Sequence, residues 1–221
     1  MIAYTYFFLL VAVAVVQATI SVRSKSDLVQ TAEEQTKQLT ILKAANITTS
    51  PYDYPLLKQC DDKWGDDLMV TKTVCQVGCL MSSTSMGLAG TKIGIPSPTD
   101  PQPSPDNATP GTLNEWLREN EGYDSSNDFI EPVAQAINPD RVVWPDDAMH
   151  KTNDLSYDTV ASYIQQGRIV IGNVMNGGHF VLLTGYSDDK DTFAVNDPGF
   201  NTLTYSYSKD IVGYRIFDMA R

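Results

Sequence analysis

The sequence has few of the residues that metal, nucleic-acid and anionic-membrane sites need. Its 221 residues include two histidines and three cysteines, no cluster of Lys and Arg, and a formal net charge of −11. Because polyanions are held by clustered cations, we expect neither nucleic acid nor an anionic membrane surface as a partner. Two distant histidines and a Cys-x3-Cys pair do not have the spacing of zinc ligands, so no metal and no other cofactor is expected.

Long apolar runs are also absent, except in residues 1–18. That run ends in Val16-Gln17-Ala18, a small-residue pattern typical of signal-peptide cleavage sites. We interpret it as a secretory signal, although no Lys or Arg precedes its apolar core, and a retained run would be a short membrane anchor. The mature protein is therefore expected in a secreted or lysosome-like compartment, free of the membrane once the signal is removed.

The rest of the chain divides into a polar segment and one domain. Residues 19–50 are rich in Ser, Thr, Gln, Lys and Glu, which is typical of a flexible leader, with a pro-segment as the alternative. Residues 51–221 are enough for a single buried core. Asn46 and Asn107 each begin an N-glycosylation sequon in polar, loop-like sequence. The sequence makes no prediction about the oligomeric state.

The stretch around Gly78 and Cys79 predicts a turn followed by a buried helix that begins with a cysteine. The run from Leu80 to Leu88 carries no charge, so most of the helix surface should be buried. A thiol at a helix N-terminus lies among unpaired backbone N–H groups, which favour the thiolate and can bind an anion formed beside it. The alternative is that Cys79 is a small buried apolar residue.

Helices are predicted early in the domain and strands late, which indicates an α+β fold. Thr112-x-x-Glu115 resembles a capping box, a second helix should follow Asp128, and a third should begin at Ser156. Residues 91–111 are rich in Pro, Ser and Asp and predict a long exposed loop. Five later β-rich runs should form one antiparallel sheet against the Cys79 helix: residues 169–174, 180–186, 192–196, 203–207 and 213–217.

The two histidines differ in context. His150 lies in a polar connection, where a solvated loop residue is expected. His179 begins a strand that should form a hairpin around residues 187–191. Symmetric pairing about Asp188 would place Leu183 opposite Phe193, Val181 opposite Val195, and His179 opposite Asp197, with Cβ atoms about 5 Å apart. The alternative is a buried histidine at the end of a strand, near an Asp-Pro turn.

An ordered set of motifs resembles the peptidase C39-like domains, relatives of the papain-like cysteine peptidases. The set comprises Gln59-x-Asp61-x-x-Trp64-Gly65, Gly78-Cys79, Leu113-Asn114-x-Trp116-Leu117-x-x-Asn120-x-Gly122-Tyr123, Gly178-His179-Phe180-Val181-Leu182-Leu183-x-Gly185-Tyr186 and Asn196-Asp197-Pro198. The resemblance implies a papain-like fold, with the catalytic helix packed on an antiparallel sheet. It implies Cys79 as nucleophile, His179 as base, Asp197 as the acid that orients the base, and Gln59 as oxyanion donor. For Gln59, composition alone favours a surface glutamine, and only the neighbouring Asp61 and Trp64 of the motif favour the site.

Chemistry supports the same assignment. Cysteine needs an imidazole to hold it as thiolate and to protonate a leaving amine, and the imidazole needs a carboxylate or an amide to fix its tautomer. Three cysteines leave one unpaired if two pair, and Cys60 and Cys75 flank the loop between Gln59 and the catalytic helix. A disulfide there would stabilise by about 3 kcal/mol.

The sequence therefore predicts a secreted cysteine peptidase or amidase that hydrolyses a peptide or amide substrate through a thioester. Two alternatives stay open. The same three residues support acyl transfer when an amine outcompetes water, and the domain can instead be a catalytically inactive binding or structural module.

Overall fold

Two helices follow each other around Gly78 in the computed structural model, which describes Thr40, residues 46–97 and residues 100–220. Helix α2 (Cys79–Gly90) begins at Cys79, as predicted, but the residues before Gly78 form a short helix, α1 (Val74–Val77), that was not predicted. A Cβ atom at position 78 would lie 2.6 Å from the Val74 carbonyl oxygen, so only glycine permits this tight turn. Residues 81–88 of α2 are all buried, which confirms the expected burial of the helix.

Two later helices confirm their predicted positions but not every predicted cap. Helix α3 (Pro110–Glu119) has Thr109 as its N-cap, three residues before the expected one, and the Thr112 hydroxyl oxygen accepts the Thr109 backbone N–H. The predicted box at Thr112 is therefore wrong. Helix α4 (Tyr157–Gln165) has Ser156 as its N-cap. The helix expected after Asp128 is a 3₁₀ segment, Glu131–Ile137.

In the described part of the chain, eight strands form one antiparallel sheet. They are β1 (Ile47–Thr49), β2 (Val142–Val143), β3 (Met149–His150), β4 (Ile169–Val174), β5 (His179–Ser187), β6 (Thr192–Asn196), β7 (Thr204–Ser206) and β8 (Gly213–Met219). The order is β2-β8-β4-β5-β6-β7, with β1 also paired to β5 and β3 also paired to β8. The five predicted runs are all present as β4 to β8, and helices with an antiparallel sheet confirm the α+β class.

The β5–β6 hairpin forms, but the predicted register is wrong. Leu183 lies opposite Val195 rather than Phe193, and Phe193 lies opposite Tyr186. The register shifts between Leu183 and Gly185, where a bulge places one extra residue in β5. His179 is therefore not directly opposite Asp197.

The sheet has a buried apolar surface on each face. Alternate residues of β4 separate to the two sides: Ile169 and Ile171 pack with α2 and α3, whereas Val170 and Val174 pack with α4. The α2 side of the sheet extends past the first residue of that helix. Asn173, Phe180 and Arg215 lie on this uncovered part of the sheet, beside Cys79.

Three expectations about connecting segments need correction or stay open. Residues 91–111 are not a wholly exposed loop, because Ile93, Ile95 and Ala108 belong to the core. His150 is not a solvated loop residue: it lies in β3, with a side chain only 13% exposed. Strand β1 precedes the predicted domain start at residue 51, a boundary that stays a prediction.

The predicted signal at residues 1–18 lies outside the described residues, as does most of the predicted leader at 19–50. Among the residues that are described, no helix combines the length and the apolar character needed to cross a membrane.

Candidate active site

Cys79 is the free cysteine of the chain and opens helix α2. Its side chain is half-buried at the edge of a cleft of about 860 Å³. Backbone N–H groups in the first turn of a helix have no acceptor within that helix, so they can bind a negative charge that develops near the thiol. The helix start thus places a free thiol and N–H donors on the same turn.

His179 and Asp197 are in direct contact despite the shifted register. Nε2 of His179 lies 2.7 Å from Oδ1 of Asp197, and the two residues are 5% and 2% exposed. The bulge in β5 and the turn after β6 bring the side chains together diagonally, so the predicted contact exists although the predicted pairing does not. With Nε2 held by the carboxylate, Nδ1 is the nitrogen left for the thiol.

The pKa values of His179 and Asp197 show that Cys79, His179 and Asp197 interact electrostatically. Burial by itself lowers the pKa of His179, but the hydrogen bonds to Asp197 and to the Cys79 side chain outweigh burial and raise it to about 9. For Asp197, burial raises the pKa, and the hydrogen bonds from His179 and from the backbone of Phe200 and Gly199 overcome this effect and lower it. The arrangement therefore favours an imidazolium at His179 beside an ionised Asp197 carboxylate.

Both oxygens of the Asp197 carboxylate have hydrogen-bond donors. Oδ1 accepts the backbone N–H groups of Gly199 and Phe200, each at 2.9 Å, in addition to His179. Oδ2 accepts the Tyr205 hydroxyl at 2.9 Å. Burial, helped by the nearby Asp197 charge, raises the pKa of Tyr205 to about 12, so this hydroxyl keeps its proton for donation.

The turn after Asp197 covers one side of the imidazole. The Phe200 ring packs edge-on against His179 with centroids 5.1 Å apart. A Cβ atom at position 199 would lie 2.9 Å from His179 Cε1, so glycine is needed there for the turn to approach the ring. Lys58 donates from Nζ to the carbonyl oxygens of Asp197 (2.8 Å) and Phe200, which ties this turn to the segment before Gln59.

Gln59 lies in the same cleft, although twenty residues before Cys79. Its Nε2 donates to the Cys75 carbonyl oxygen at 2.7 Å, its backbone N–H donates to Pro198 (3.0 Å), and its side chain is buried. It is therefore not a surface glutamine. An amide nitrogen carries two hydrogens, so one remains after the Cys75 contact. Gln59 Oε1 is buried without a hydrogen-bond partner among the described residues.

The structure contains the predicted disulfide between Cys60 and Cys75. It joins the residue after Gln59 to the residue whose carbonyl accepts from Gln59. Trp64 of the same motif is buried and donates from Nε1 to the Lys58 carbonyl oxygen (2.8 Å). Disulfide and indole thus hold the Gln59 segment against α1.

Four residues of this arrangement were not singled out by the sequence: Lys58, Asn127, Phe200 and Tyr205. Asn127 lies in the cleft wall with a φ of 73°, and its Oδ1 accepts the backbone N–H groups of residues 70, 71 and 72. This contact shapes the loop that leads into α1. No local sequence signal distinguishes these residues, because each acts through a contact with a distant segment.

The remaining predicted residues lie elsewhere. His150 contacts Asp154 through Nδ1 at 2.9 Å. The sequon asparagine Asn46 is exposed and donates to Asp188, whereas Asn107 exchanges two 2.8 Å hydrogen bonds with the backbone of Ile95. Within the described ranges, no three His, Cys, Asp or Glu side chains form a group able to hold a metal ion.

Comparison with known proteins agrees with this fold. The model of the Peptidase_C39 like family matches residues 51–215, about three quarters of the chain, so the protein belongs to the Peptidase_C39 like family. The domain is accordingly cysteine-peptidase-like. Neither the curated proteins nor the solved structures include a match to this chain.

Proposed function

We propose that this protein is a cysteine peptidase or amidase, in which Cys79, His179 and Asp197 hydrolyse an amide bond through a thioester. The single observation that carries the proposal is a connected series of interactions: Asp197 holds Nε2 of a buried His179, and a hydrogen bond with the Cys79 side chain helps to raise the pKa of the same imidazole. Membership of the Peptidase_C39 like family supports the same reaction class.

In the first half of the reaction, the Cys79 thiolate attacks the amide carbonyl carbon. The oxyanion that forms is stabilised by N–H groups at the start of α2 and by the second Nε2 hydrogen of Gln59. The tetrahedral intermediate collapses as Nδ1–H of His179 protonates the leaving amine, which departs and leaves a thioester on Cys79. Asp197 keeps the imidazole in the correct tautomer and orientation.

In the second half, water replaces the amine. Nδ1 of the now neutral His179 removes a proton from water, and the hydroxide attacks the thioester carbonyl. The second tetrahedral intermediate expels the Cys79 thiolate, releases the carboxylic acid product and regenerates the thiolate–imidazolium pair. No metal or organic cofactor is required for these steps, since each proton is carried by His179.

We also propose that the domain works in an oxidising compartment. Disulfides persist in secreted and secretory-pathway proteins, and the Cys60–Cys75 disulfide holds a residue of the proposed oxyanion site. This fits the predicted secretion signal at residues 1–18.

The test is turnover and acyl-enzyme formation with small peptide amides and esters. Parent protein should release product and show a mass increase on the peptide that contains Cys79, whereas Cys79→Ala should show neither. His150→Ala is the matched control and should retain activity, since this second histidine contacts Asp154 instead of the thiol. Absence of turnover and of any acyl-enzyme in the parent, with Cys79 free and the fold intact, would contradict the proposal.

A further inference from the structure

The connection between β4 and β5 has an unusual backbone conformation directly before His179. Met175, Asn176 and Gly177 have φ values of 53°, 54° and 94°, so three consecutive residues are left-handed. Glycine adopts this region freely and Asn tolerates it, but an unbranched apolar residue such as methionine does so only at a cost. Strain of this kind persists where the surrounding structure enforces it and is concentrated at functional sites.

The strained residue presents its side chain to the cleft. Met175 is 47% exposed and lines the cleft that contains Cys79 and His179. Met149 and Phe200, 41% and 48% exposed, line the same cleft. Grouped exposure of large apolar side chains marks a binding surface rather than ordinary surface composition.

The floor of the cleft beside His179 is aromatic and the charged groups against it are already paired, although the exposed Asp128 and Lys151 also line the cleft. Phe180 forms it, with the Arg215 guanidinium 5.2 Å from the ring centroid. Arg215 is already engaged by Glu131 at 2.5 Å and by the Tyr214 carbonyl oxygen at 3.0 Å, and Glu131 is buried. Because these two charges satisfy each other, neither can act as counter-ion for a charged substrate side chain.

One polar group beside this floor is suited to a peptide backbone. Asn173 lies opposite Phe180 in the β4–β5 pair and lines the cleft. Its Oδ1 is buried and has no hydrogen-bond partner among the described residues, so the amide nitrogen is the polar atom that it can turn to a ligand. An amide N–H can donate to a backbone carbonyl oxygen of a bound peptide.

We infer that Met149, Met175 and Phe180 form a subsite for a large, uncharged apolar side chain of a peptide substrate, with Asn173 as donor to the peptide backbone. The inference extends the proposed function and rests on it, because the bound peptide is a substrate only if the site hydrolyses amides. Unbranched thioether side chains adapt to different apolar shapes, so leucine, methionine and phenylalanine should all be accepted.

The experiment measures binding without turnover. In a Cys79→Ser background, capped peptides that differ at one residue are titrated by calorimetry, with Leu, Met or Phe compared with Gly, Lys and Asp at that residue. The apolar peptides should bind about 10-fold or more tightly. Met175→Ala should reduce this preference by roughly threefold or more, whereas Asn173→Ala should weaken all peptides to the same extent.

Asn176→Gly provides the control for the strained connection. It leaves every proposed contact in place and relieves one left-handed non-glycine residue, so thermal stability should rise while the preference stays unchanged. Equal binding of apolar and charged peptides, or an undiminished preference in Met175→Ala, would overturn the inference.

The two proposals fail separately. If the parent turns over amides but shows no apolar preference, only the subsite is wrong. If the Cys79→Ser protein shows the preference but the parent forms no acyl-enzyme, only the hydrolytic function is wrong, and the cleft is a peptide-binding site.

Discussion

On the β5–β6 side of the cleft, the Asp197 carboxylate accepts four hydrogen bonds, and His179 lies between that carboxylate and the Phe200 ring. On the α2 side, Gln59 Oε1 and Ser82 Oγ are buried without partners among the described residues. A fully bonded carboxylate fixes the position of the base before substrate arrives. The donors that an oxyanion would need also lie on the α2 side, in the first turn of α2 and on the Gln59 amide nitrogen, so the contrast separates a preorganised imidazole from a region that awaits a ligand.

The largest expected effect comes from removing the thiol between the two sides. Cys79→Ala should abolish turnover, by on the order of 10⁴-fold or more, because no nucleophile remains. The hydrogen bond and charge of Cys79 also raise the pKa of His179, so this pKa should fall below about 9 in the variant. Proton NMR titration of the imidazole signals measures it, and His150→Gln assigns the two histidines. An unchanged His179 pKa would mean that the thiol and the imidazole are not paired.

The next largest effect is expected from changes on the β5–β6 side of the cleft alone. Asp197→Asn keeps an oxygen and similar volume but loses the charge that stabilises the imidazolium, so kcat should fall by roughly 10²- to 10⁴-fold. Cys79 should remain open to alkylation by iodoacetamide at high pH. Tyr205→Phe should give a smaller loss, since Asp197 keeps three of its four donors. Equal losses in the two variants would contradict the view that charge matters more than the hydroxyl contact.

A third change tests the side with unsatisfied groups. Gln59→Ala removes a donor needed only when the oxyanion forms, so the acylation rate should fall about 100-fold, measured by stopped-flow release of the leaving group. The pH dependence of Cys79 alkylation should stay close to that of the parent. Gln166→Ala, which removes an exposed glutamine that bonds only Ser162, is the matched control. A Gln59→Ala variant with parental acylation would remove this residue from the proposed site.

A fourth change loosens the same side without touching the thiol. Replacing Cys60 and Cys75 by serine should lower the free energy of unfolding by about 3 kcal/mol, as measured by urea denaturation. Gln59 should then be less well held against Cys75, so acylation should slow by less than in Gln59→Ala. The assay is made under conditions in which the double variant is fully folded. If it then loses more activity than Gln59→Ala, the disulfide has a role beyond holding Gln59.

The smallest expected effect is the change of stability with pH that comes from His179 and Asp197 on the β5–β6 side of the cleft. Because the folded pKa of His179 is about 9, against an ordinary 6.5, its contribution is fully present below pH 6.5 and is lost as pH rises through about 9. The lowered pKa of Asp197 acts oppositely: its contribution is present above the ordinary carboxyl range and is lost as pH falls through the folded value. The free energy of unfolding, measured by urea denaturation, should fall by about 1–3 kcal/mol between pH 6 and pH 9.5. His179→Ala should flatten this decline, and a decline of the same size in that variant would assign it to other groups.

How much of the site could be predicted from the sequence depends on how far apart in the sequence the contacting residues are. The start of α2 was predictable because the turn at Gly78 and the uncharged run after Cys79 are local signals. The His179–Asp197 contact was predicted through a register that is wrong, since nothing in the sequence around Thr184 reveals the bulge. Gln59 became interpretable only through its motif, because its contacts with Cys75 and Pro198 are distant. Tyr205 and Asn127 were missed for the same reason: composition does not reveal which carboxylate or loop a polar side chain will meet.

The position of β8 in the sheet has a consequence for the timing of folding. β4 pairs with β8 on one side and with β5, which begins with His179, on the other. Residues 213–219 therefore contribute an interior strand, and Arg215 of this strand is part of the cleft floor. Pairings between segments far apart in sequence form slowly, and domains fold as units during synthesis. In a nascent chain that contains Cys79 and His179 but not yet β8, strand β4 lacks one of its two neighbouring strands. We therefore expect the cleft around Cys79 to form only after residue 219 has been synthesised.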